Sequence, residues 1–124
     1  MGLDAYILVI DKAHVDEQGN VLEFSERQEI AYWRNNWWLQ KYMHQQYEET
    51  VNPYDPEFNC KALQLSEDLL MDCLNQMSKE LYKQSISFGT PEDILKTSDV
   101  DELKIAIYYL RDNPKNITYY YGRY

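Results

Sequence analysis

All three tryptophans of this chain fall between Trp33 and Trp38, inside a run from Ser25 to Glu49. Large aromatic side chains dominate core energetics, so whatever core forms has to be organised around this run. Its local signals predict one long helix. Ser25 and Gln28 have the spacing of a capping box, and Glu26 and Glu29 place negative charge in the first turn, where the helix dipole favours it. Ile30, Trp33 and Trp37 recur at three and four residues, and Trp38, Leu39, Tyr42, Met43 and Tyr47 fall on other faces. A helix apolar on most sides is sandwiched between other elements. In that helix Arg34, Lys41 and His44 project with Ile30 and Trp37. This side reads either as an anion or nucleotide site, with an aromatic ring stacking and Arg34 pairing an acid, or as an arginine stem packed over a tryptophan with its head in solvent.

At 124 residues the chain is expected to form a single domain over residues 1–124. Its net charge of −9 points away from direct nucleic-acid binding, which needs a basic footprint. The same charge suits a solvated surface or a basic protein partner. Cys60 and Cys73 have no metal-site spacing and are expected to be unpaired, reduced thiols. No apolar run approaches the ~20 residues of a membrane span, and no leader pattern is evident. The expectation is a cytoplasmic protein without membrane contact.

Leu3 to Ile10 is apolar on both alternating faces, the pattern of an interior strand. Asp4 at its start needs a partner, and Arg34 is expected to supply it in a buried ion pair. Gln18-Gly19-Asn20 predicts a turn and Val21–Phe24 a short return strand. Asn52-Pro53 and Asp55-Pro56 end the tryptophan-rich helix and predict a long loop from Thr50 to Asn59, anchored by Tyr54 and Phe58. Ser66 caps a second helix whose stripe is Leu70, Cys73, Leu74, Met77 and Leu81. Ser85–Gly89 reads as a strand or an extended link. Thr90-Pro91 starts a short helix, and Ser98 with Asp101 begins another that stops at Asn113-Pro114. Ile117–Tyr124 is a β-branched and aromatic closing strand, with Tyr120 on one face and Tyr119 and Tyr121 on the other. The predicted fold is α+β: a small, mostly antiparallel sheet with adjacent first and last strands, packed with three main helices.

Four motifs in order, Met1-Gly2-Leu3-Asp4, Glu29–Arg34 with Tyr32-Trp33-Arg34, Ser87-Phe88-Gly89-Thr90 and the Tyr-rich closing strand, resemble a family of small phage and prophage proteins. The 50–65 segment lies outside the match. Trp37 and Gln40 stand where that family pattern has Asn and His. The resemblance implies an accessory phage gene product acting in the host cytoplasm, and it implies no particular chemistry.

Nothing in the chain points to catalysis. It has two histidines, His14 and His44, without a Gly-rich phosphate loop or nucleophile elbow. Most adjacent acidic pairs sit at predicted helix starts, where the dipole accounts for them. Two functions from different classes remain. One is a non-catalytic protein that acts by binding a host macromolecule, inhibition being one consequence open to it; this predicts a protein partner of host origin. The other is a small-molecule or nucleotide binder using an arginine and aromatic pocket. The candidate binding residues are Asp4, Trp33, Arg34, Trp37 and Tyr120; no cofactor or metal is expected, and the oligomeric state is open. An acidic surface without a pocket favours the first function, and a concave Arg- and Tyr-lined pocket the second.

Overall fold

A computed structural model describes residues 2–10, 28–51, 53, 57–86 and 95–124. Its elements are β1 (Asp4–Val9), β2 (Gln28–Arg34), α1 (Trp37–Thr50), β3 (Lys61–Gln64), α2 (Glu67–Ile86), α3 (Thr97–Asp112) and β4 (Thr118–Arg123). The strands form one antiparallel sheet in the order β2-β1-β4-β3. The opening and closing strands are therefore its centre, with Asp4 opposite Arg123 and Ile7 opposite Tyr120. The fold is α+β, as the sequence predicts.

The two apolar faces of β1 have separate destinations. Ala5 and Ile7 point into the main core with Ala31, Trp33, Leu63 and Tyr120 from the other strands. All three helices cover this inner face, through Leu39 and Met43 of α1, Leu70, Cys73 and Met77 of α2, and Leu103, Ala106 and Ile107 of α3. Leu8, Ile10 and Tyr119 are buried on the outer face, beside Tyr6 and Tyr121. A strand buried on both sides has no polar position to spare, which is why its sequence does not alternate.

The tryptophan-rich run is not one helix. Gln28 to Arg34 is a strand paired with β1, and the helix begins only at Trp37. Ala31 and Trp33 point inward while Tyr32 and Arg34 point out. Trp33 and Trp37 are four residues apart, a spacing compatible with both the strand period and the helical one, so it could not discriminate. The change of period happens at Asn35, held at φ 57°, a left-handed conformation that asparagine tolerates better than most residues. Its backbone N–H donates to the Leu3 carbonyl at 2.7 Å, and its side-chain oxygen accepts the Leu3 N–H at 2.9 Å. Asn36 then caps α1, its Oδ1 accepting the Leu39 N–H at 3.0 Å. The grouping of Arg34 and Ile30 with Lys41, His44 and Trp37 on one helical side is overturned with the helix itself.

Other boundaries shift less. Ser66 caps α2 by accepting the Leu69 N–H, and Asn113 ends α3. The 50–65 segment contains β3, four residues too short to carry a clear period. Phe58 is buried as expected. Ser85 and Ile86 belong to the last turn of α2 rather than to a strand. α3 starts at Thr97, with the Asp99 carboxylate accepting the Lys96 N–H at 2.7 Å. The predicted capping box at Ser25, the turn at 18–20, the return strand at 21–24, Tyr54 and the helix start at Thr90 lie outside the described residues. Cys60 and Cys73 are unpaired.

Candidate functional site

β2 is an edge strand, and α3 lies along it. The Trp33 indole N–H donates to the Asp99 carbonyl at 3.0 Å, and the Tyr32 backbone N–H donates to Glu102 Oε1 at 3.1 Å. The second bond satisfies an edge amide that would otherwise invite another strand. Between the two elements lies a cleft of about 520 Å³. One wall is built by Tyr32, Trp33, Arg34, Asn35 and Asn36, and the other by Lys96, Ser98, Asp99 and Glu102. Its size falls in the range of small-molecule sites.

Asn36 is the unusual member. It is 5% exposed, and its Nδ2 is the sole buried side-chain nitrogen or oxygen without a hydrogen-bond partner among the described residues. Flipping the amide does not help, because the cap of α1 needs the oxygen where it is. An unpaired buried donor costs about 1–3 kcal/mol. No acidic residue sits in the first turn of α1 to offset the positive end of its dipole. The cleft therefore brings together a stranded donor, a helix N-terminus and the cations Arg34 and Lys96, facing the carboxylates of Asp99 and Glu102.

Arg34 meets Asp4 as the sequence suggests, with Nη1 3.0 Å from Oδ1. The pair is not buried, however: the Arg34 side chain is 61% exposed at the corner of the outer face. The Tyr32 hydroxyl donates to the same Asp4 oxygen at 2.5 Å. That hydrogen bond, with Arg34 second, holds the Asp4 carboxyl below its ordinary range, and it raises the Tyr32 phenol above its own. Asp4 thus holds two residues of the cleft wall in place from outside it.

The remaining candidates go elsewhere. Tyr120 is fully buried, its hydroxyl donating to Gln40 Oε1 at 2.6 Å, while Gln40 Nε2 donates to the Phe58 carbonyl at 2.6 Å. Burial pushes the Tyr120 phenol far up, so it stays neutral. Gln40 is a pinned structural amide here. Trp37 packs on Tyr124 with ring centroids 5.2 Å apart, at a separate hollow of about 350 Å³ shared with Lys41, His44 and Phe58. Of the five sequence candidates, the cleft takes Trp33 and Arg34, with Asp4 bonded to Arg34 from outside it. The residues missed were Tyr32, Asn35, Asn36, Lys96, Ser98, Asp99 and Glu102; the signal for two of them was the Asn35-Asn36 pair itself, a turn residue followed by a cap.

No helix among the described residues is long and apolar enough to cross a membrane. No group of three or more His, Cys, Asp or Glu among them could hold a metal ion. No family model, curated protein or solved structure matches the chain.

Proposed function

We propose that this is a non-catalytic, phage-type accessory protein that acts by binding, and that it holds a small polar molecule in the cleft between β2 and α3. The observation that carries the reading is the buried, partnerless Asn36 amide in the wall of a concave site lined by Arg34 and Tyr32. A ligand that displaced the side chains over this donor and accepted from it would relieve an unpaired buried group. Native mass spectrometry of the protein purified from host cells, with thermal melts against metabolite pools, tests it. A ligand at a hundred times its Kd stabilises by about 2.7 kcal/mol, a shift of several degrees for a domain of this size. Neither a retained mass nor a shifted melt in any pool would sink the reading.

A second reading, binding of a host macromolecule, is favoured by exposed apolar residues on the antiparallel α2–α3 pair. Met71, Tyr82, Ile105 and Tyr108 are 40%, 67%, 52% and 60% exposed. Ile105→Asp with Tyr108→Asp should abolish capture of a host protein without changing the cleft; unchanged capture refutes this reading.

A further inference from the structure

The two walls of the cleft differ in chemistry, and the difference specifies the kind of molecule they fit; this step rests on the small-ligand reading above. The β2 wall holds donors: the Arg34 guanidinium, with Nη1 given to Asp4, and the Asn36 amide nitrogen beneath the surface. The α3 wall offers acceptors. Asp99 commits one carboxylate oxygen to the Lys96 N–H and Glu102 commits one to the Tyr32 N–H. The other oxygen of each has no partner among the described residues. Both carboxylates are thus already oriented by a backbone bond, with half their acceptor capacity unspent.

Arg34 shares its charge with Asp4 outside the cleft, so Lys96 and the guanidinium N–H groups that Asp4 leaves over face the carboxylates of Asp99 and Glu102. A phosphate or nucleotide would bring two negative charges against two fixed carboxylates, and like-charge contacts of that kind are how a site rejects a ligand. A molecule carrying both signs a few ångströms apart meets complementary charge on both sides. We propose that the cleft recognises the head group of a free α-amino acid, with its carboxylate toward Arg34 and Asn36 and its ammonium toward Asp99 and Glu102. The half-exposed Tyr32 ring supplies apolar surface for the ligand's side chain. Asn36 Nδ2 has no accessible surface, so contact requires a small movement of the side chains over it. Gaining a charged acceptor favours that movement, since such bonds are stronger than neutral ones.

The test is a titration of the ¹⁵N-labelled protein with each of the twenty common L-amino acids, following the Asn36 side-chain amide. At least one should shift that resonance saturably with a Kd below about 1 mM. The N-acetyl derivative and the methyl ester of the same amino acid, each lacking one charge, should bind about tenfold more weakly or worse. Two variants separate recognition from architecture. Asn36→Asp keeps the acceptor that caps α1 and improves its charge, so its melting temperature should hold or rise while binding falls about tenfold or more. Glu102→Gln keeps an acceptor for the Tyr32 N–H and should likewise lose affinity. The proposal is overturned if no amino acid binds, if the N-acetyl or ester form binds equally well, or if Asn36→Asp binds undiminished. Inorganic phosphate and adenosine monophosphate serve as comparators. Binding of either at the Asn36 amide, with no amino acid binding, would leave the small-ligand reading standing and remove this one.

Discussion

Two of the polar networks joined to tyrosines among the described residues are opposites. Inside, Tyr120, Gln40 and the Phe58 carbonyl are linked in a buried chain. Outside, Tyr32, Asp4 and Arg34 converge on one carboxylate oxygen at the sheet corner. The tyrosine bonds are of similar length, 2.6 Å inside and 2.5 Å outside, yet the two networks are not equivalent. A buried polar group that loses its partner has nothing to replace it, whereas at the surface water substitutes at once. The inner network therefore fixes the fold, and the outer one can only orient side chains.

Four measurements would break or sharpen that contrast. The largest effect should come from Gly122→Ala. β4 passes so close to Gln40 that an added Cβ would meet its Cδ at 2.9 Å, and the Gln40 side chain, bonded at both ends, cannot withdraw without stranding Tyr120 and Phe58. Overpacking plus lost buried bonds should cost about 3 kcal/mol or more in denaturant melts. Tyr120→Phe should cost about 1–3 kcal/mol, because it leaves the Gln40 oxygen unpaired in the core. An unchanged melt in both would mean that the inner network is dispensable.

The thiols report the same boundary. Cys73 lies in the core, where burial pushes its thiol well above the ordinary range, and Cys60 is exposed. A thiol reagent should modify Cys60 promptly in the native protein and Cys73 only on unfolding. Rapid modification of both would show that the inner layer opens readily.

The smallest effect belongs to the outer network. Arg34→Ala and Asp4→Asn should leave the neutral-pH melt unchanged within error, since the pair is exposed. What Asp4 contributes has a defined pH sense: its carboxyl is held below the ordinary range when folded. Any advantage over Asp4→Asn is thus present at neutral pH and lost as the pH falls through that lowered value. An advantage that grew on acidification would contradict the assignment.

The contrast also accounts for what could be read in the sequence. β1, the α2 stripe and β4 were legible because each commits whole faces to burial, down to the split of Tyr120 from Tyr119 and Tyr121. β2 was misread because Ile30, Trp33 and Trp37 satisfy a helical period by coincidence, while the alternation of Ala31 and Trp33 against Tyr32 and Arg34 is brief. β3 has a single buried residue, Leu63, and so no period at all. The cleft was half legible. Arg34 and Trp33 stand out as residue types, but the α3 wall comes from far along the chain, with Asp99 66 residues after Trp33 and Glu102 70 after Tyr32, and only the packing of α3 on β2 makes them neighbours.

The strand order has a consequence in time as well as in space. The centre of the sheet joins Asp4 to Arg123, so β1 is synthesised long before the neighbour it needs, β4. At ribosomal speeds of ~5–20 residues per second, the wait is on the order of ten seconds. Throughout it, β1 can pair on one side through β2 but has no β4, and its apolar run from Ala5 to Ile10 is the kind of segment that seeds aggregation between nascent chains. Closing so distant a contact is slow on entropic grounds too. The charge of −9 gains a meaning here that the finished fold does not require. Neighbouring unfinished chains repel one another during the interval when their most adhesive strand is incompletely paired.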